Sequence, residues 1–413
     1  MTYAMEKINE FFLGALKAAL LGKKLGTEKQ LPQEQWRQLL DLAQVHQVLP
    51  LIHDAVYPVL RQQHPELEAA VKRRVMHQVM VQTMKTEAFL ELNHTLLEAG
   101  LRPLVVKGIV CRSLYPKPDF RPSGDEDLLI PASQSEDCHR IMISWGMHTE
   151  AGAAKRSAEH EISYRKEGNP LHIELHKTLF PPRSEAYGDL NRFFADAHAR
   201  AVTETVRGNV VYTLGYTEHL FYLLCHAFKH FLHSGFGIRQ VCDIVLFANH
   251  YGAGIDWNRI LKNCKEIRAE KFAAAIFRIG RKYLTFDPEA ACYPEAWKAV
   301  RVDEKPLLED LLSGGLYGDS SMSRKHSSNI TLSAVASRKQ GKKEKHGVLA
   351  SVFPDAKKLE RRYPYLKEHP WLLPVAWGQR LWTYSREKDS DAAQVLKIGS
   401  ERIELLREYG IIG

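Results

Sequence analysis

Hydrophobic residues recur at two different periods along this chain, and the change of period divides it. Over residues 1–100 the spacing is helical. Trp36, Leu39, Leu40 and Ala43 form one apolar stripe, and Phe89, Leu90, Leu92, Leu96 and Leu97 form another. Gly100 stands where it can cap the last of these helices. From Leu104 the apolar runs become short and β-branched. Leu104-Val105-Val106 predicts a strand ending at Lys107-Gly108, Ile109 to Leu114 a helical turn or two, and Tyr115 to Gly124 a proline-rich loop. Asp127-Leu128-Leu129-Ile130 predicts a second strand, closed by Pro131. Ser133 to Trp145 predicts a helix, with Ser133 as N-cap and Glu136 as its capping-box partner. Glu161 to Arg165 and Leu171 to Leu175 predict two strands joined by the turn Glu167-Gly168-Asn169-Pro170. After a strand at Val210 to Leu214, helical spacing returns over Thr217 to Leu232, Ile238 to His250 and Trp257 to Tyr283. A stretch rich in Tyr, Trp and Pro, Tyr363 to Trp382, precedes a closing helix over Asp391 to Tyr409.

The elements predict an α+β protein: a small mixed sheet over residues 101–215 embedded in a largely helical chain. A helical region (1–100) precedes that core and a helical domain (216–312) follows it. Residues 313–347 read as a basic flexible linker, and 348–413 as a C-terminal helical and aromatic segment. From Ser321 to Gly347 there are seven Lys or Arg against one Glu. That composition reads first as a solvated linker and second as a nucleic-acid or membrane contact.

Composition narrows the class only a little. With 45% hydrophobic and 26% charged residues, the chain matches an ordinary globular protein and not a disordered one. Its net charge of +8 suits a polyanionic ligand such as a nucleotide, an acidic membrane surface or nucleic acid, without choosing among them. The six cysteines, Cys111, Cys138, Cys225, Cys242, Cys264 and Cys292, are scattered with no CxxC pair. This argues against a zinc ribbon or a disulfide framework and leads us to expect a cytoplasmic protein. No run approaches the roughly 20 apolar residues of a transmembrane helix. Phe11 to Leu21 is interrupted by Lys17 and preceded by Glu6 and Glu10, so it reads as an amphipathic helix, not a signal peptide. The P-loop, dinucleotide-binding, hydrolase-elbow and zincin motifs are absent.

Asp125 and Asp127 carry the first chemical signal. Residues i and i+2 of a strand share a face, so the two carboxylates project together while Glu126 points away. Adjacent carboxylates repel unless a cation lies between them, and Mg²⁺ is a hard cation that takes one or two carboxylates with phosphate oxygens. A solvated acidic turn is the bland alternative. Context favours the metal: Arg121, Ser123 and Gly124 stand just ahead, and Lys107-Gly108 ends the earlier strand, where a glycine lets backbone N–H groups approach phosphate. The later strand presents His172, Glu174 and His176 on one face, with Glu174 as a third carboxylate. Three carboxylates can hold two metal ions about 4 Å apart, an arrangement suited to in-line attack at phosphorus.

Lys107-Gly108, Tyr115-Pro116, Arg121, Gly124-Asp125-Glu126-Asp127-Leu128-Leu129-Ile130 and Glu174-Leu175-His176 together resemble the uncharacterised nucleotidyltransferase family of the polymerase-β-like superfamily. The resemblance extends through His226, His230, Arg239 and Asp243 and into Tyr363-Pro364-Tyr365-Leu366. One departure from the superfamily is Ile109 after Gly108, where Ser or Gly is usual; the gap from that turn to the aspartates is also long. The resemblance implies a mixed sheet with flanking helices, dependence on Mg²⁺ (with Mn²⁺ as a substitute) and transfer of a nucleoside monophosphate from an NTP, ATP foremost, with release of pyrophosphate. It implies no acceptor; we expect a hydroxyl or phosphate on a small molecule or a protein.

In that reading Asp125, Asp127 and Glu174 are the metal-binding and catalytic residues, and Lys107, Gly108, Arg121, Ser123, Gly124 and His176 bind the nucleotide. For Lys107, simple exposure is the alternative; for Arg121, an ion pair with Asp119 or Asp125. His219, His226, His230 and His233 lie near one helical face. The His226/His230 spacing of four can bind zinc, but a polar face turned to the cleft fits better, since no further ligand is near in sequence. Arg239 and Asp243, also four apart, are expected to pair on the helix surface. A non-catalytic nucleotide-sensing or partner-binding protein on the same scaffold is the alternative function.

Overall fold

The computed structural model describes residues 3–26, 30–182, 184, 186–233, 235–314, 331, 332, 335, 356–360, 363–386 and 392–412. Four helices lead the chain: α1 (Tyr3–Leu20), α2 (Gln33–Val45), α3 (Leu49–Gln63) and α4 (Pro65–Glu98). The first three pack on one another through their apolar stripes, with Phe12, Leu16, Trp36, Leu39, Ile52 and Val56 buried. The long α4 buries Phe89, Leu92 and Leu96. Gly100, at φ +80°, closes it in the left-handed cap that its position predicts, where Leu101 N–H donates to the Leu96 carbonyl at 3.0 Å.

Six strands follow: β1 (Leu104–Val106), β2 (Glu126–Leu129), β3 (Glu161–Lys166), β4 (Asn169–His176), β5 (Val202–Val206) and β6 (Asn209–Thr213). They form one sheet in the order β3-β4-β2-β1-β6-β5. β2 runs parallel to β4 and β1 parallel to β6, while the other pairs are antiparallel. The mixed α+β architecture is therefore the one the periodicity predicts. Central strands β1 and β2 are buried throughout. Along β4, Leu171, Ile173 and Leu175 enter the core, which leaves His172, Glu174 and His176 on the opposite face. Register then does the positioning, since Asp127 lies opposite Glu174 on β4 and opposite Val106 on β1. Residues far apart in sequence are thereby brought to one point.

Helices complete the shell: α5 (Gly108–Arg112) directly after β1, α6 (Ser135–Ser144), α7 (Ala153–Ala158), α8 (Tyr216–Leu232), α9 (Ile238–Tyr251), α10 (Trp257–Glu266) and α11 (Glu270–Tyr283). α8 packs on α9, and α9 packs on both α5 and α11. This places the polar side of α8 and the start of α9 over the turn between β1 and α5. No helix among the described residues is long and apolar enough to cross a membrane.

Several local expectations are corrected. Ser133 is not an N-cap: a 3-10 turn over Ala132–Gln134 precedes α6, its cap position is Gln134, and Glu136 pairs with Arg156. The single helix expected over Trp257 to Tyr283 is two. Between α10 and α11 the chain turns at Arg268, in the left-handed region at φ +58°, without a glycine or proline to announce it. Strand β5 and the short α7 have no counterpart among the predicted elements. The linker over 313–347 lies almost entirely outside the described residues.

Candidate active site

Asp127 is the centre of the site. Its Oδ2 is 2.8 Å from the Lys107 ammonium and its Oδ1 is 3.1 Å from His176 Nε2. The register explains both contacts. Lys107 follows Val106, the β1 partner of Asp127, and His176 lies on β4 two residues beyond Glu174, on the same face. His176 Nε2 is also 3.7 Å from Glu174 Oε2, and its Nδ1 is 3.7 Å from Glu161 Oε2. Asp127, Glu174 and His176 each offer an atom within 4.8 Å of the others, a spacing that could hold a metal ion. Asp125 lies outside that trio but lines the same cleft.

The electrostatics of the two carboxylates are opposite. Burial pushes the Asp127 carboxyl up, but Lys107 and His176 outweigh it and hold the group below the ordinary carboxylate range. Glu174 is pushed up to about 8 by burial and then by the negative charges of Asp125, Asp127 and Glu161, against which Lys107 works. A cluster with one ionised and one reluctant carboxylate is short of positive charge. A divalent cation ligated by Asp127 and Glu174 would supply it, so the donor set fits such an ion.

Lys107 is held from several directions. Its backbone sits at φ +55°, a conformation L side chains rarely adopt. Its N–H donates to His219 Nε2 at 3.1 Å, and His219 Nδ1 is 3.1 Å from Thr213 Oγ1, whose hydroxyl donates to the Val105 carbonyl at 2.6 Å. Burial lowers His219 to about 3, which keeps the ring neutral with Nε2 free to accept. The ammonium lies 3.3 Å from His226 Nε2, itself 3.2 Å from His230 Nε2. Burial, then the Lys107 charge, lowers His226, so its ring too is neutral and can accept from the lysine. The polar face of α8 is thus turned into the cleft and meets Lys107.

Glu126 points to the other side, as its place in the strand predicts. It accepts from Arg112 Nη2 at 2.7 Å and from Ile109 N–H at 2.8 Å, and Ser123 Oγ lies 3.3 Å away. Both Arg112 and Glu126 are buried. Gly108 meets a demand beyond the phosphate approach that its sequence context suggests. A Cβ at this position would come within 1.9 Å of Glu126 Oε2. The neighbouring N–H of Ile109 is taken by this carboxylate. Ser123 is occupied in the same network, with its N–H donated to Gln82 Oε1 at 2.8 Å, while Gly124 offers its carbonyl to Lys85 at 3.0 Å.

Arg121 and Asp243 bring a second correction. Asp243 does not pair with Arg239 on the surface of α9, and Arg121 pairs with neither Asp119 nor Asp125. Arg121 binds Asp243 with both Nε, at 3.0 Å, and Nη2, and Tyr115 Oη donates to the same carboxylate at 2.7 Å, all three groups being buried. Arg239 turns into the cleft and donates to the Pro122 carbonyl. Burial and the neighbouring Arg121 pull it down to about 10. Among the described residues, its Nε and the adjacent Gln240 Oε1 are buried without a hydrogen-bond partner. The cleft thus runs from the carboxylates and Lys107 on one wall to Arg239 and Gln240 on the other, with Gly108, Arg121, Ser123 and His226 between. Its two ends differ in charge, acidic with one lysine at the sheet and cationic at α9.

The family model for uncharacterised nucleotidyltransferases matches residues 32–285, which takes in the sheet, the cleft and most of the surrounding helices. The chain belongs to this nucleotidyltransferase family. No curated protein and no solved structure matches it. As a member of the family it is an enzyme of the nucleotidyl-transferring kind, with an NTP as substrate. The converging acidic residues of β2 and β4 lie inside the matched region, as do Lys107, His226 and Arg239.

Proposed function

We propose that this nucleotidyltransferase depends on Mg²⁺ and transfers a nucleoside monophosphate from an NTP, ATP foremost, to a hydroxyl or phosphate acceptor. The observation that carries the reading is the register of β2 against β4, which sets Asp127 beside Glu174 at the end of a cleft also lined by Asp125. In the transfer, an acceptor oxygen forms a bond to the α-phosphorus and the bond from that phosphorus to the bridging oxygen breaks. Pyrophosphate leaves with the electron pair. When bound, the divalent ion supplies positive charge at the phosphate oxygens and makes the acceptor proton easier to remove.

Asp125, Asp127 and Glu174 hold that ion. His176 orients Asp127 from behind, and Glu174 is placed to receive the acceptor proton. Arg239 takes the phosphate-binding role that the sequence assigns to Arg121, because the Arg121 guanidinium is committed to Asp243 while Arg239 keeps a buried N–H unpartnered. Arg121, Ser123 and Gly108 shape the floor between the two walls.

The test uses the full chain with Mg²⁺, each NTP in turn and cell extract as the source of acceptor, and it follows pyrophosphate. Asp127→Asn should lower release by roughly 10³-fold or more while circular dichroism stays unchanged. Undiminished release by that variant would overturn the mechanism. NTP binding by the natural protein with no turnover against any extract would favour a nucleotide sensor instead.

A further inference from the structure

Three neighbouring carboxylates would ordinarily define two metal positions about 4 Å apart, both touching a shared aspartate. Asp127 is the residue placed to be shared, and one of its oxygens already carries a cation. The Lys107 ammonium is 2.8 Å from Oδ2, while Oδ1 faces His176. A Mg²⁺ ion needs an oxygen at about 2.0–2.1 Å, and an ammonium on the same oxygen would repel it. The lysine meets Oδ2 as an ion pair, not as a hydrogen bond, and the other ligand atoms grouped with Asp127 belong to Glu174 and His176, so a metal ion would sit on their side of it.

The lysine is built into this place. A non-glycine residue at φ +55° is strained and persists only where its surroundings enforce it. Here the Lys107 N–H is fixed by His219, which is fixed in turn by Thr213. At the far end, His226 faces the ammonium at 3.3 Å and is backed by His230. A lysine serving only as a phosphate contact would extend into open cleft. This one is aimed at the carboxylate and closed in by α8.

We propose that the Lys107 ammonium permanently fills one of the two cation positions, so that the enzyme works with a single divalent ion and a tethered lysine in place of the second. The inference rests on the metal-dependent reading given above. It implies that Asp127 is shared between a protein cation and a metal ion, and that α8 exists in part to hold the lysine against it.

The test counts ions. Full-length protein is titrated with Mn²⁺ in the presence of a saturating non-hydrolysable α,β-methylene analogue of ATP, and bound Mn²⁺ is read by electron paramagnetic resonance. The natural protein should bind one Mn²⁺ per chain, Lys107→Ala should bind two, and Lys107→Arg, which keeps the charge, should bind one. Thermal unfolding of each variant establishes that it is folded at the titration temperature. Two ions in the natural protein, or one in both it and Lys107→Ala, would overturn the proposal and leave the metal-dependent reading standing. No Mn²⁺ on any of the three proteins would overturn both together.

Discussion

Glu126 and Asp127 are neighbours on one strand, both buried, and they live in opposite circumstances. Glu126 faces α5 and has every need met: a buried guanidinium, a backbone N–H and a serine hydroxyl, with a glycine opposite to let it in. Asp127 faces β4 and shares its surroundings with Glu174, Asp125 and Glu161, which together outnumber the one lysine in contact with it. A saturated carboxylate serves the fold, because nothing is left over for a ligand. An acidic cluster short of cations is what a metal ion and a triphosphate would complete, and such frustration is tolerated where function uses it.

The contrast is broken most directly by exchanging charges on the two residues. Glu126→Gln leaves Arg112 buried without a counter-charge, and removing one partner of a buried pair costs roughly 3–5 kcal/mol. Urea unfolding should show that loss, with nucleotidyl transfer by the remaining folded protein little changed. Asp127→Asn should show the reverse, a large loss of transfer with a smaller loss of stability, since Glu174 is at hand to meet the Lys107 charge. Equal stability losses in the two variants would dissolve the distinction between the faces.

Gly108→Ala comes next in size. The added methyl would meet Glu126 Oε2 at 1.9 Å and its Cδ at 2.9 Å, and a crowded buried site of this kind costs about 1–3 kcal/mol. If the glycine exists to admit Glu126, the cost measured by urea unfolding should shrink in a Glu126→Ala background. What remains in that background is the strain of a Cβ at φ +32°, and a cost undiminished by Glu126→Ala would mean that the glycine is not there to admit that side chain.

Much of this was legible in the chain because period-two alternation is a local property. His172, Glu174 and His176 on one face of β4, and Asp127 facing away from Glu126, follow from strand geometry alone. The strand ending in Lys107-Gly108 was readable from Leu104-Val105-Val106 for the same reason. Partners across the fold were not. Arg239 and Asp243 stand four apart on α9 and invite a local pair worth a few tenths of a kcal/mol, yet the bidentate buried contact from Arg121 claims the aspartate. The closeness of Gly108 to Glu126 is not legible, because glycine at a strand end looks the same whether it admits a ligand or a side chain from the next strand. Strand β5 gives little signal, since its alternation of Val and Thr with Glu204 is that of a mostly polar edge. The break at Arg268 has no composition to betray it.

The last test is one of pH, and it isolates the unsatisfied side of the comparison. Glu174 stands at about 8 in the folded protein against an ordinary value of 4.5, so between those values the folded state holds a proton that the unfolded state has lost. Stability from this group is therefore full below about pH 4.5, declines as pH rises toward 8, and is gone above it. Metal-free protein in EDTA should show a melting temperature that falls across that window, and Glu174→Gln, which has no charge to bury, should flatten the fall and melt higher than the natural protein at pH 8. Mg²⁺ competes with the same proton, so it should raise the melting temperature of the natural protein more at pH 8 than at pH 6 and do little for Glu174→Gln. The glutamine variant gains stability only by giving up a ligand. A variant that instead melted lower at pH 8 in EDTA would mean that Glu174, like Glu126, is satisfied by its surroundings, and the acidic cluster would lose its claim to be waiting for a cation.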